Sequence, residues 1–196
     1  MIENKPEKLY NERMEFRVFF LREKDAPDIK SVPGNACRAR PGTETTEALI
    51  MYAIGSDHAG YDMRMLIKDY LEKLGEEVLD MGTFDRERSN YPEIAESVAS
   101  LVAAGKADAA VLICGTGIGM SIAANKVKGV RAACVSDPFS ARMSKEHNDA
   151  NVLCFGARVV GSEVAKMIVR EWHDAEFLGG RHRMRLDMIE DIEGRN

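Results

Sequence analysis

One segment, residues 109–124, constrains the fold more than any other part of this chain. It reads AAVLICGTGIGMSIAA, so an apolar strand pattern ends at Cys114 and passes through three glycines into a helix pattern. A strand that enters a helix through such a turn is typical of parallel sheets covered by helices. The backbone N–H groups of the turn and of the helix start can converge on negative charge. The segment therefore predicts an anion cradle with one thiol beside it.

Cys114 is a candidate base or nucleophile, because cysteines at helix N-termini are among the reactive ones. The alternatives are a nucleotide loop and a tight structural turn around a buried cysteine. The spacing G-x-G-x-G differs from the dinucleotide fingerprint G-x-G-x-x-G, and no Gly-Lys-Ser/Thr triplet follows as in a Walker loop. Both kinds of nucleotide loop therefore match poorly.

The composition limits the possible partners. The chain has 196 residues, 45% of them apolar, and this length and apolar content favour a globular domain. Its net charge of −5 argues against nucleic acid as a partner. No apolar run approaches the roughly 20 residues of a membrane helix. The 4 cysteines are widely spaced, without C-x-x-C pairs or zinc-ligand spacing. We therefore expect a soluble cytoplasmic protein with reduced thiols and without a metal.

Two regions differ in pattern near residue 50. Residues 1–50 contain four prolines and no sustained periodicity, apart from the apolar run FRVFFL at residues 16–21. We interpret them as an N-terminal extension to a domain formed by residues 51–196. The first clear strand begins at Met51. One interpretation is that the natural chain starts at this methionine, and the other is that the extension is a functional tail.

Strand and helix patterns alternate after Met51. The periodicity predicts strands at residues 52–55, 77–79, 109–114, 131–135 and 152–155. It predicts helices at residues 61–74, 91–104, 118–125, 138–146, 162–172 and 182–192. This alternation indicates a single doubly wound, Rossmann-like α/β domain with a five-stranded parallel sheet, whose ligand binds at the carboxyl ends of the strands.

Three further groups of polar residues are candidates for a site. Asp57 and His58 follow the first strand and should lie at the same sheet edge as Cys114, although Asp57 also suits a helix cap. A polar cluster at residues 147–151 precedes the last strand, and its alternative is a solvated turn. Arg181 and Arg185 are four residues apart and suit a phosphate, or else they pair with nearby acidic residues.

Four motifs together resemble a known family. They are GSDHAG at residues 55–60, ICGTGIGMSIAANK at 113–126, HNDANVLCFGARVVG at 147–161 and GGRHRMR at 179–185. Their order and spacing resemble the RpiB/LacAB sugar-phosphate isomerases, which comprise type B ribose-5-phosphate isomerases and galactose-6-phosphate isomerase subunits. The resemblance covers about residues 51–193. It implies interconversion of D-ribose 5-phosphate and D-ribulose 5-phosphate, a step of the non-oxidative pentose phosphate pathway, without metal or organic cofactor.

The resemblance also implies roles for single residues. Cys114 would be the base that moves a proton between C1 and C2 through an enediolate. His147 would open the furanose ring, assisted by Asp57 and Thr116, and Asn148 would bind a substrate hydroxyl. The oxyanion would be held by the backbone of Gly115, Thr116, Gly117, Ile118 and Gly119. The phosphate would be bound by His58, Arg158, Arg181 and Arg185.

In this family the site lies between two subunits, so the resemblance implies a homodimer or homotetramer. One alternative is an isomerase of a six-carbon sugar, galactose 6-phosphate or allose 6-phosphate. The galactose 6-phosphate enzymes divide these groups between two different subunits, whereas this chain carries all of them. The other alternative is a non-catalytic sugar-phosphate sensor, which has no need of the Cys114 thiol.

Overall fold

A computed structural model describes residues 38–39 and 48–195. Strands β1 (Arg38–Ala39) and β2 (Ala48–Leu49) pair with each other in antiparallel orientation. The apolar run at residues 16–21 and most of the expected extension lie outside the described residues. The domain boundary at residue 50 therefore stays a prediction.

The main sheet and its helices follow the alternation expected from the sequence. Its strands are β3 (Met51–Ser56), β4 (Glu77–Asp80), β5 (Ala109–Cys114), β6 (Ala132–Cys134) and β7 (Val152–Gly156). A short 3₁₀ turn, His58–Gly60, follows β3. The helices are α1 (Tyr61–Lys73), α2 (Tyr91–Ala103), α3 (Ile118–Ala124), α4 (Pro138–Asn148), α5 (Ser162–His173) and α6 (Arg181–Gly194).

All five strands of this sheet are parallel, in the spatial order β4-β3-β5-β7-β6. The predicted doubly wound α/β fold is thus confirmed. Strand β6 is shorter than expected and lies at the sheet edge. The side-chain amide of Asn125 accepts a hydrogen bond from the Ala132 N–H and donates one to the Ala132 carbonyl. Asn125 therefore takes the place of a neighbouring strand at this edge.

Helices cover both faces of the sheet, which explains why its central strand is a continuous apolar run. Every residue of β5 is buried. Val111 and Ile113 pack in the core that α1, α4 and α5 share, and α2 packs against the opposite face together with α3. Among the described residues, none of the helices combines the length and apolar character that a bilayer crossing needs.

Candidate active site

Residues from three neighbouring strands meet at the carboxyl edge of the sheet. The Asp57 N–H, just past β3, donates to the Ile113 carbonyl of β5 at 3.3 Å. After β7, the Arg158 N–H donates to the Gly115 carbonyl at 3.1 Å. We call Asp57, His58, residues 114–119 and Arg158 the strand-end cluster. The structure brings Asp57 and His58 to the same sheet edge as residues 114–119, as the rule for parallel strands predicts, and adds Arg158 to them.

The glycine turn folds back over the sulfur of Cys114. The Gly117 N–H donates to Cys114 Sγ at 3.1 Å, and the thiol side chain is buried. Gly117 has a φ of 81°, and a Cβ there would lie 2.7 Å from the Phe155 backbone. Both the conformation and the close approach require glycine at this position. The sulfur is therefore held at the mouth of the turn, as the sequence predicts.

Two side chains border the turn. A Cβ on Gly115 would lie 3.7 Å from the Arg158 side chain, so Arg158 extends over the start of the turn. At its other end, a Cβ on Gly119 would lie 2.7 Å from the ring of Tyr91. Sequence reasoning missed Tyr91 because its only signal was its place at the start of α2. The Thr116 side chain is exposed, and its Oγ1 accepts from the Ile118 N–H at 3.4 Å.

Asp57 acts as the cap that its position allows. Its Oδ1 accepts from the N–H groups of Ala59 and Gly60, at 3.0 and 3.1 Å. The carboxylate is nearly buried beside the carboxyl ends of β3 and β5. Capping thus fixes the orientation of Asp57 at the edge where Cys114 lies, so the two interpretations of this residue are compatible.

A reciprocal pair of hydrogen bonds fixes the ring of His58. The Ser89 N–H donates to His58 Nδ1 at 3.4 Å, and the His58 N–H donates to Ser89 Oγ at 3.2 Å. Because Nδ1 accepts, the proton of the neutral ring is on Nε2. His58 can therefore donate from Nε2 to an anion. Sequence reasoning missed Ser89, which carries no local motif.

A second group forms between the end of α4 and the start of α6. The rings of His147 and His182 stack with centroids 4.3 Å apart. Arg181 Nε donates to His182 Nε2 at 3.4 Å, while His182 Nδ1 is buried without a hydrogen-bond partner in the described part of the chain. We call His147, Asn148, Arg181, His182 and Arg185 the histidine–arginine cluster. Sequence reasoning placed His182 only in a basic run.

The charges of this cluster suit an anion. Burial lowers the pKa of His182, and His147, Arg181 and Arg185 lower it further. The ring is thus held neutral beside two guanidinium groups. Arg181 and Arg185 form no ion pair with any described carboxylate, whereas Arg183 binds Asp187 and Glu190 at 2.6 and 2.7 Å. The alternative of pairing with acidic residues therefore applies to Arg183 and not to the two expected phosphate ligands.

The two clusters lie at opposite edges of the sheet. Helix α4 starts after the carboxyl end of β6 and ends at Asn148, near the start of β7, whereas Cys114 lies at the carboxyl end of β5. Across residues 50–195, no hydrogen bond or ion pair joins the strand-end cluster to the histidine–arginine cluster. Over the same range, no three His, Cys, Asp or Glu side chains are arranged to hold a metal ion. Each cluster contains only part of the groups that the sequence assigned to one site.

Comparison with known proteins gives consistent matches. Residues 52–189 match the model of the family described as Ribose/Galactose Isomerase. The chain is 52% identical to ribose-5-phosphate isomerase B of Escherichia coli over 143 residues, which cover 73% of this chain and 96% of that protein. It is 42% identical to galactose-6-phosphate isomerase subunit LacB of Clostridium acetobutylicum, over 65% of this chain and 74% of that protein.

A solved structure matches in the same way as these relatives. The structure of ribose-5-phosphate isomerase B from Clostridium thermocellum superposes with a TM-score of 0.74 at 50% identity. The match covers 74% of this chain and 99% of that one. The residues of this chain outside the match therefore have no counterpart in the solved relative.

Proposed function

Because this chain belongs to the ribose/galactose isomerase family of aldose–ketose isomerases, we propose that it interconverts D-ribose 5-phosphate and D-ribulose 5-phosphate. One observation carries the proposal: Cys114 Sγ lies at the mouth of the glycine turn, bound by the Gly117 N–H. A thiol base beside prearranged N–H donors is what proton transfer through an oxyanion needs. A sensor of sugar phosphates has no use for that thiol.

The first step opens the furanose ring. His147 gives a proton to the ring oxygen as the bond between C1 and that oxygen breaks, and the carboxylate of Asp57 accepts the proton of the C1 hydroxyl. Histidine suits this step because it gives and takes protons near neutral pH. Asp57 and Thr116 assist from the strand-end cluster. The product is the open aldehyde.

Proton transfer then follows between two carbons. Cys114 as thiolate removes the proton from C2, and the electron pair forms the C1–C2 double bond while charge moves to O1. Backbone N–H groups of the turn at residues 115–119 stabilise this enediolate, and a single prearranged donor lowers such a barrier by about 3 kcal/mol. The Cys114 thiol returns the proton to C1, while the proton of O2 passes to O1, which leaves a hydroxyl at C1 and the ketone at C2.

The remaining groups bind the substrate. His58, Arg158, Arg181 and Arg185 bind the phosphate, and Asn148 binds a sugar hydroxyl. Arg181 and Arg185 lack acidic partners among the described residues, and His58 offers its Nε2–H. These groups come from both clusters, so the complete site requires a second chain.

We therefore infer a homodimer in which the histidine–arginine cluster of one subunit completes the strand-end cluster of the other. Exposed apolar side chains support this arrangement. Ile118 and Ile122 are exposed on α3 directly after the glycine turn, and Met184 and Met188 are exposed on α6. The two methionines lie on the face of α6 that carries Arg181 and Arg185, since positions i, i+3, i+4 and i+7 share a face. Such exposed apolar patches mark interaction surfaces.

We also infer a cytoplasmic location. Cys114, Cys134 and Cys154 all carry free thiols, which is the state that a reducing compartment maintains.

Turnover of the purified protein tests the reaction and the substrate together. Ribose 5-phosphate, allose 6-phosphate and galactose 6-phosphate are compared without added metal or nucleotide. Preference for ribose 5-phosphate is the expected result. Preference for a six-carbon sugar would change the substrate and keep the mechanism. Tight binding of ribose 5-phosphate without turnover of any of the three would favour a sensor.

A further inference from the structure

The turn that follows His147 has an unusual backbone. Helix α4 ends at Asn148, and Asp149 adopts a φ of 45° and a ψ of 44°. Among the described residues, Asp149 is the only non-glycine residue with positive φ. Aspartate visits this left-handed conformation more readily than most residues, yet its presence here indicates support from the surroundings.

Arg131 supplies that support. Its Nε donates to the carbonyl of Asn148 at 3.1 Å and to the carbonyl of Asp149 at 3.0 Å. Its Nη2 donates to Asp149 Oδ2 at 2.8 Å. One guanidinium group therefore binds both the backbone and the side chain of the turn.

The backbone of Arg131 holds the next residues of the same segment. The Arg131 N–H donates to Asn151 Oδ1 at 2.8 Å, and the Arg131 carbonyl accepts from the Asn151 N–H at 3.2 Å. The segment between α4 and β7 is thus attached to one residue by its side chain and its main chain. Arg131 directly precedes the edge strand β6, so the attachment is to the sheet itself.

The ion pair between Arg131 and Asp149 is sheltered enough from solvent to stabilise the turn. The side chains of Arg131 and Asp149 are 23% and 32% exposed, unlike the Arg86–Asp62 pair, whose side chains are 69% and 72% exposed. Exposed pairs contribute little because solvent screens them. A second cation, the ammonium of Lys145, lies 3.8 Å from Asp149 Oδ1.

The geometry points to Arg131 as a positioning residue for ring opening: by fixing the turn at Asp149, it holds the end of α4 so that the His147 imidazole has the orientation required for proton transfer to the sugar. The inference rests on the proposed role of His147. The ring of His147 is held on one side by the stacked ring of His182, which leaves the helix end as the second determinant of its orientation.

Arginine is required here because of its shape as well as its charge. The planar guanidinium presents several N–H groups in fixed directions, so it reaches two carbonyls and a carboxylate together. A lysine at position 131 keeps the charge but binds as a single point. We therefore expect Arg131→Lys to restore part of the function that Arg131→Met loses.

The decisive experiment measures ring opening without isomerisation. In a Cys114→Ala background, exchange between the α and β anomers of ribose 5-phosphate labelled with ¹³C at C1 is followed by NMR magnetisation transfer. The protein is expected to accelerate this exchange, and His147→Ala is expected to abolish the acceleration. Arg131→Met should lower it about 100-fold, the loss that a displacement of about 1 Å causes in positioned reactants. The exchange rate of Arg131→Lys should lie between that of Arg131→Met and that of the protein with Arg131 intact.

A matched control separates positioning from general stability. Arg142 lies on α4 itself and binds Glu146 at 2.6 Å, but it does not contact the turn. Arg142→Met should leave the exchange rate unchanged. The affinity of the Arg131→Met protein for ribose 5-phosphate should change less than threefold, because its phosphate ligands are intact. A loss of affinity equal to the loss of exchange would show a merely structural role and overturn the inference.

The remaining outcomes are distinct. Full exchange in Arg131→Met, with none in His147→Ala, would overturn the role of Arg131 alone. No acceleration by the Cys114→Ala protein itself would overturn the proposed ring-opening step, and the role of Arg131 with it. If Arg131→Met does not fold, Asp149→Asn replaces it, because asparagine accepts the left-handed conformation and removes the charge that Arg131 binds. Unchanged exchange in a folded Asp149→Asn protein would overturn the inference.

Discussion

The imidazole of His147 stacks on that of His182, with the two planes only 4° from parallel. The contact joins the last turn of α4 to the first turn of α6. It therefore places the expected ring-opening group beside the expected phosphate ligands Arg181 and Arg185. A proton on His182 would meet the His147 ring and both guanidinium groups, so the protonation of His182 and the binding of an anion are coupled.

The stacked pair predicts a pH dependence of stability. The folded protein holds the pKa of His182 below its ordinary value of 6.5, chiefly through burial. Below that value His182 is protonated in the unfolded chain before it is protonated in the folded protein, so the free energy of unfolding falls as the pH falls. Above it both states are neutral and the effect is absent. The free energy of unfolding is measured with urea at about pH 7.5 and about pH 5.5, and its difference between the two pH values should be smaller in His182→Gln than in the wild type. Equal differences would contradict the assignment.

The thiol predicts a separation of binding from chemistry. Cys114→Ala should lower kcat for ribose 5-phosphate about 10³-fold, because a positioned base is lost, and should leave the affinity for substrate nearly unchanged. Steady-state kinetics and calorimetric titration measure the two quantities. Cys134→Ala is the control, since that exposed thiol has no proposed role in the reaction and, within the described part of the chain, donates only to the Thr116 carbonyl, at 3.8 Å. Retained turnover in Cys114→Ala would remove this residue from the mechanism.

The arginines of α6 offer a matched comparison. Arg185→Ala should raise KM about 30-fold, corresponding to loss of about 2 kcal/mol from a charge-assisted hydrogen bond to phosphate. Arg183→Ala removes a guanidinium from the same helix, but that group binds Asp187 and Glu190, so its KM should not change. Similar KM values for the two variants would argue against Arg185 as a phosphate ligand.

The separation of the two clusters predicts complementation between inactive variants. Cys114→Ala has a defect in the strand-end cluster, and His147→Ala has one in the histidine–arginine cluster. In a mixed dimer one site carries both defects and the other carries neither. After mixing and subunit exchange, activity should return to about one quarter of the wild-type value, since about half the dimers are mixed. An inactive mixture whose subunits have exchanged would show that each site lies within one chain.

The extension predicts tolerance to truncation. Removing residues 1–50, so that the chain starts at Met51, should preserve the fold and the turnover of ribose 5-phosphate. The sheet begins at Met51, whose N–H is held by Asp108 Oδ2 at 2.9 Å. Circular dichroism, size-exclusion chromatography and kinetics check this. Loss of the dimer in the truncated protein would show that the extension contributes to the assembly.

Local patterns predicted the fold well because they depend on neighbours in the chain. The strand β5 was predicted at its observed bounds, residues 109–114, since six consecutive apolar residues end at a glycine turn. The edge strand β6 was predicted too long, because its partner on the open side is the Asn125 side chain, which has no local signal. The placement of Asp57 and Cys114 at one edge of the sheet followed from the general rule for parallel sheets, whereas the order of the strands was not predicted.

The site was predicted only in part, for a related reason. The positions of Asp57 and Cys114 follow from strand ends, and the structure places both at one edge. Ser89 on His58 and Arg131 on Asp149 are contacts between distant parts of the chain, and neither forms a motif. Such contacts depend on the directions of side chains after the elements pack, which a periodicity does not specify.

By itself, the sequence determined the parallel α/β fold, the glycine turn behind Cys114 and membership in an isomerase family. These properties reside in short segments, where glycine spacing and apolar periodicity act directly on the backbone. Only the tertiary structure decided that His147 meets His182, that Arg131 holds the turn beyond it, and that the two clusters remain apart within the described chain. These relationships arise from packing between elements far apart in sequence, where side-chain geometry rather than local pattern determines which groups come together.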